Sequence, residues 1–128
     1  MKPVLGKFAA QAYALMRLVV GLLFACHGAQ KLFGVLGGTK ASDGLMMVAG
    51  VIEFFGGLLI AIGLVTTLAA LISSGEMAAA YFMKHASAEK FWPIENHGEL
   101  AVVYCFIFLF MAAHGSGDIS TDAVLRKK

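Results

Sequence analysis

Four apolar runs, Ala9 to Phe33, Leu45 to Leu64, Thr66 to Met83 and Glu99 to His114, take up most of a 128-residue chain. Each approaches the roughly 20 residues a helix needs to cross hydrocarbon, the last being the shortest. Lipid offers no hydrogen-bond partner, so a run that crosses it has to satisfy its own backbone as a helix. The composition agrees: 59% of residues are hydrophobic, 14% are charged and the mean hydropathy is +0.81. A soluble domain of this size keeps about a quarter of its residues charged to cover its surface. The expected fold class is therefore all-α, an integral membrane four-helix bundle, with residues 1–128 forming a single four-span domain.

The segments between the runs set the connectivity. Lys2, Lys7 and Arg17 precede and enter the first run, and Leu23-Phe24-Ala25-Cys26 hints at a lipoprotein cleavage box. With no clean small-x-small site and three further runs, the first run reads as a retained span. Gly34 to Gly44 is rich in residues that leave a helix readily and forms a flexible connector. Gly63-Leu64-Val65-Thr66-Thr67 is tighter, with Gly63 near a helix end and Thr66 or Thr67 placed to cap the next helix, so the second and third runs form a hairpin. In the long connector from Lys84 to His97, Trp92 suits an interfacial anchor. Asn96-His97-Gly98-Glu99 has the spacing of a capping box. Lys2, Lys7, Arg126, Lys127 and Lys128 on one side outnumber Lys40, Lys84 and Lys90 on the other, which puts both termini in the cytoplasm.

Ionisable groups inside such runs carry the functional signal, because burying one in hydrocarbon costs roughly 2.5–3.5 kcal/mol on insertion scales. Arg17, His27, Glu53 and Glu76 qualify, and Lys31 lies nearer an interface, where it can snorkel. At about 100° per residue, Arg17, His27 and Lys31 fall within a sector of roughly 80° on the first helix. The same arithmetic sets Gly50, Gly56, Gly57 and Gly63 within roughly 80° on either side of Glu53. Glycine lets backbones approach closely, so the Glu53 face is expected against another helix. Gly21, Ala25 and Ala29, and likewise Ala70, Ser74 and Ala78, form small-residue stripes of the same kind. At 1.5 Å per residue, His27, Glu53 and Glu76 share a level about 9–12 Å below the outer surface, with Arg17 deeper. Arg17 either pairs with the two acids or snorkels inward. Low dielectric disfavours charge on all these groups while mutual pairing favours it, an arrangement suited to proton exchange.

Plainer readings stand beside these. Glu53 and Glu76 can make structural hydrogen bonds or ion pairs, and a lone His27 is commonly a packing residue. A metal site of His27, Glu53 and Glu76 lacks a recognisable ligand spacing, so none is expected. Cys26 and Cys105 fit small apolar roles, and a redox pair between them has no visible activating neighbour. Met46, Met47, Phe106, Phe108 and Phe110 suit packing, lipid contact or an apolar ligand pocket. A net charge of +2 with scattered basic residues argues against nucleic-acid binding.

Taken in order, Arg17-x3-Gly21, His27-Gly28-x2-Lys31, Glu53 with Gly56-Gly57, Gly63, Glu76, Asn96-x-Gly98-Glu99, Gly115-x-Gly117 and Asp122 resemble the DoxX family of small membrane proteins. The resemblance covers the chain from Arg17 to Asp122. It implies a four-span, multi-pass helical protein of the bacterial or archaeal cytoplasmic membrane. The family takes its name from a membrane subunit associated with thiosulfate oxidation and quinone reduction, and relatives are linked to redox or thiol-stress systems. No flavin, haem or iron–sulfur motif is present, so a quinone is the cofactor the resemblance leaves open.

The expected function is a redox-associated subunit that binds a lipid-soluble, quinone-like or small ligand in an outer-half polar pocket. Glu53 and Glu76 would handle protons. Arg17, His27 and Lys31 would bind the ligand, with Arg17 also able to tie helices together. The alternatives are a proton-coupled carrier of a small solute, which needs a dimer, and a ligand-free scaffold for partner proteins. The expected partners are the lipid bilayer and either a second copy or a redox subunit.

Overall fold

The computed structural model describes residues 1–128 and is helical throughout, without a strand. A single 3-10 turn, Gly6–Phe8, leads into α1, Ala9–Phe33. α2 spans Gly44–Ile62 and α3 spans Thr66–Ala80, which runs on into one π-helical turn at Tyr81–His85. A short α4, Pro93–Asn96, precedes α5, Glu99–His114, and α6, Thr121–Arg126, closes the chain. Gly34 and Gly63 end α1 and α2 in left-handed conformations, at φ 66° and 73°, where glycine has no side chain to clash. Asp43 caps α2 by accepting from Met46 N at 2.8 Å. The third apolar run is thus one α-helix as far as Ala80, and its last residues belong to the π turn.

Two helical segments, Gly6–Phe33 and Gly44–Ile62, are long and apolar enough to cross a membrane, and α5 is apolar but shorter at 16 residues. At 1.5 Å per residue, the 19 residues of α2 extend about 28 Å, close to the hydrocarbon thickness of about 30 Å. Apolar side chains cover much of the outside, while several polar ones are buried within the apolar core. Leu15, Leu18 and Leu22 on α1, Val51 and Phe55 on α2 and Phe106 on α5 face outward, whereas Arg17, Glu53, Ser73 and Ser74 are buried.

α1 packs along α2, α3 along α5, and α2 meets α3 beside their shared turn. The α1–α2 contact is backbone against backbone. A methyl group on Gly57 would sit 2.5 Å from Gly21 O and Ala25 N, and one on Gly21 would sit 2.6 Å from Gly57 O and Ala61 N. Neither position tolerates a side chain without separating the helices. All four long helices feed one core, in which Phe24 of α1 meets Phe108 of α5 edge to face at 4.7 Å, beside Ile60 of α2 and Ala70 of α3.

The end of the chain fastens the α2–α3 turn. Val65 adopts φ 44°, an unfavourable backbone for a β-branched residue. Asp122 holds it there, its carboxylate accepting from Val65 N at 2.9 Å and Thr66 N at 3.1 Å, while its own N–H donates to Gly63 O. The cap of α3 therefore comes from the carboxylate of Asp122, and neither Thr66 nor Thr67 provides it. Thr121 Oγ1 adds a bond to Ile62 O at 2.8 Å. The capping box expected at α5 is also replaced. Asn96 Oδ1 accepts from Gly98 N, and its amide nitrogen donates to the Tyr81 hydroxyl and to Lys90 O and Phe91 O. Asn96 thus folds the connector onto the π turn, and Gly98 stands at the helix start without a side-chain cap.

Candidate functional site

Lys31, in the last turn of α1, reaches across to Glu53 of α2 with Nζ to Oε2 at 2.7 Å. The Glu53 side chain is 3% exposed and that of Lys31 23%, so this ion pair is largely out of water. Gly50, one turn before Glu53, lets Lys31 lie flat: a methyl there would be 3.0 Å from Lys31 Cβ. The carboxyl of Glu76 on α3 faces that of Glu53 within hydrogen-bonding reach. Glu76 Oε2 is buried and has no partner in the protein. Lys31 brings one positive charge against two carboxyls, so the group is neutral when the carboxyl pair holds one proton.

This group sits in the wall of a cavity of about 710 Å³ at the end of the molecule where α1 and α3 finish and α2 and α5 begin. Most of its lining is apolar, including Phe24, Ile52 and Met77. His27 lines it one turn before Lys31 and lies edge-on to the Tyr104 ring at 6.1 Å. Lys84, His85 and His97 lie at its rim, on the π turn and beside α5. His85 is tied down there, with Nδ1 3.3 Å from Asn96 O. A volume of this size matches sites that enclose a drug-sized organic ligand, with a few polar groups fixing its orientation.

Of the residues singled out in the sequence, His27, Lys31, Glu53 and Glu76 come together here, and Arg17 does not join them. Its side chain is 4% exposed at the opposite end of the bundle. Nε donates to Ile60 O at 2.9 Å, Nη1 to Ser116 O at 2.7 Å and Nη2 to Ile119 O at 3.0 Å. Arg17 neither pairs with the acids nor snorkels to the surface; it joins α1 to the end of α2 and to the closing segment. Tyr13 adds a hydrogen bond from its hydroxyl to Gly115 O at 2.5 Å. Both cysteines are free thiols, Cys26 on the surface and Cys105 against the Ser74 hydroxyl. No three His, Cys, Asp or Glu side chains converge as a metal site would require. Tyr104 was not singled out in the sequence, where a tyrosine within an aromatic, apolar run reads as packing. Its one signal is a hydroxyl within that run.

A family model described as DoxX matches residues 12–86. The chain belongs to the DoxX family. A Haemophilus influenzae protein described as uncharacterized is 40% identical to it over 131 residues, covering 97% of this chain and 98% of that one. No solved structure matches it. Family membership, the two membrane-capable helices and the outward-facing apolar side chains together make this a DoxX membrane protein. The matched region takes in Arg17, His27, Lys31, Glu53 and Glu76, so both the cavity acids and the buried arginine lie in the part that defines this DoxX chain.

Proposed function

We propose that this DoxX protein crosses the cytoplasmic membrane as a four-helix bundle with both termini in the cytoplasm, and that it is a redox-associated subunit holding a quinone-like molecule in its outer-end cavity. The observation that carries this reading is the Lys31–Glu53–Glu76 group set in the wall of an otherwise apolar cavity. Intramembrane acids of this kind usually mark ion or proton pathways. A scaffold without a ligand calls for a dry and fully packed interior, and the cavity beside the carboxyl pair supports a ligand instead.

The residues present suit an oxygen-bearing head group. Glu53 and Glu76 line the cavity, and His27 and Tyr104 line it from α1 and α5. Lys31 pairs directly with Glu53, and Glu76 beside them would exchange a proton with a head-group oxygen. A bound quinone would supply two-electron, two-proton redox chemistry. The chain has no haem, flavin or iron–sulfur motif, so the electrons would come from a partner subunit.

The test uses purified protein in lipid nanodiscs and equilibrium binding of decylubiquinone. Saturable binding is expected, weakened about tenfold or more in Glu53→Gln. Absence of saturable binding, or equal binding by Glu53→Gln, refutes the reading. A carrier is the second reading, favoured by the polar rim of Lys84, His85 and His97, which gives the cavity an aqueous approach. Proton-coupled solute flux in vesicles lacking any redox partner would decide for it.

A further inference from the structure

The cavity has an apolar side opening as well as its polar rim. Near the Gly63 turn α2 and α3 touch: a methyl on Gly56 would come within 2.9 Å of Ser73 Oγ, and further out Glu53 faces Glu76. Beyond that level both helices line the cavity, with Val48 and Ala49 on α2 and Ala79 on α3, and with Met83 just beyond α3. Val48 and Met83 line the cavity, yet they are 57% and 59% exposed, and Ala79 is exposed as well. Residues that belong to both surfaces form the lips of a gap. The other flanks are filled, α1 against α2 by Gly28 on the backbone of Gly50 and Phe54, α1 against α5 by the Phe24 and His27 rings on Tyr104, and α3 along α5.

We infer that the ligand is a membrane-dissolved molecule with a long hydrocarbon chain, which passes in and out of the bilayer through the gap between α2 and α3. This rests on the quinone-like reading above and specifies its ligand class and route. The lips carry no polar side chain, so a hydrated solute would lose its water there without gaining a partner, whereas a hydrocarbon chain loses nothing. A cavity of about 710 Å³ encloses a head group and a short stretch of chain. The remainder of a long chain lies between Val48 and Ala79 and continues into lipid, with the head at Lys31, Glu53 and Glu76.

The experiment compares two probes in nanodiscs, decylubiquinone and the tail-less ubiquinone-0, on the parent protein and on Ala79→Trp, Val48→Trp and Leu71→Trp. Leu71 is exposed on α3 but does not line the cavity, so its variant controls for a bulky lipid-facing residue. Each lip variant is expected to weaken decylubiquinone about tenfold or more and ubiquinone-0 less than about threefold, with Leu71→Trp changing neither. Thermal melting checks that each variant folds, and Val48→Trp repeats the test from the facing wall should Ala79→Trp unfold. The route is overturned if the lip variants affect both probes alike or leave both unchanged, or if the parent binds only ubiquinone-0; in each case the site itself survives. Failure of the parent to bind either probe removes the site and the route together.

Discussion

The pairing of Lys31 with Glu53 holds charge where water is nearly absent, and its energetics differ from those of a surface ion pair. Removing one partner strands the other, a change that typically costs about 3–5 kcal/mol, whereas replacing both by neutral groups is often close to neutral. Lys31→Met is therefore expected to lower the melting temperature sharply, and adding Glu53→Gln is expected to restore most of it. Additive losses in that double-mutant cycle would show that the pair is not coupled. Glu53 and Lys31 were legible as candidates because a charge inside an apolar run is anomalous by itself. The role of Arg17 was not legible, because its partners Ile60 O, Ser116 O and Ile119 O are backbone carbonyls, which every residue carries and no motif announces. Tyr104 was hidden for another reason: among phenylalanines its ring packs like theirs, and only the fold brings it to His27.

At the scale of elements, the positions of the four long helices follow from apolar length and from the small-residue stripes. Gly21 and Gly57 meet because each leaves room for the other's carbonyl. The caps were the illegible part. Asp122 lies 56 residues after Thr66 and still supplies the hydrogen bonds that a neighbouring side chain usually gives. Local spacing cannot reveal a cap donated from so far along the chain. Nor did Asn96-x-x-Glu99 follow its local pattern, since the tertiary partners Tyr81 and Phe91 claim the asparagine amide. Asp122→Ala removes a charged cap and is expected to destabilise the protein by about 1–2 kcal/mol, read as a lower melting temperature. Faster proteolysis after Ile119 should accompany it, as the closing segment loses its hold on the turn. An unchanged melting temperature would mean that Arg17 and Thr121 suffice to hold that segment.

For the molecule as a whole, polarity is divided between two ends. One end has the acids, the histidines and the cavity. The other brings the start of α1 together with the end of the chain, through Tyr13 to Gly115 and Arg17 to Ser116. Both termini therefore emerge at one end, and the basic residues Lys2, Lys7, Arg126, Lys127 and Lys128 gather there. Reporter domains fused to each terminus in turn are expected to be active only in the cytoplasm; opposite responses from the two fusions would rule out the proposed crossing. The bond from Asp122 to the α2–α3 turn also bears on how the protein is made. Translation delivers Thr66 a full 56 residues before the carboxylate that caps it, so the turn stays unlatched until Asp122 has been made. A product terminated before Asp122 would contain every long helix and still lack the latch of its α2–α3 turn.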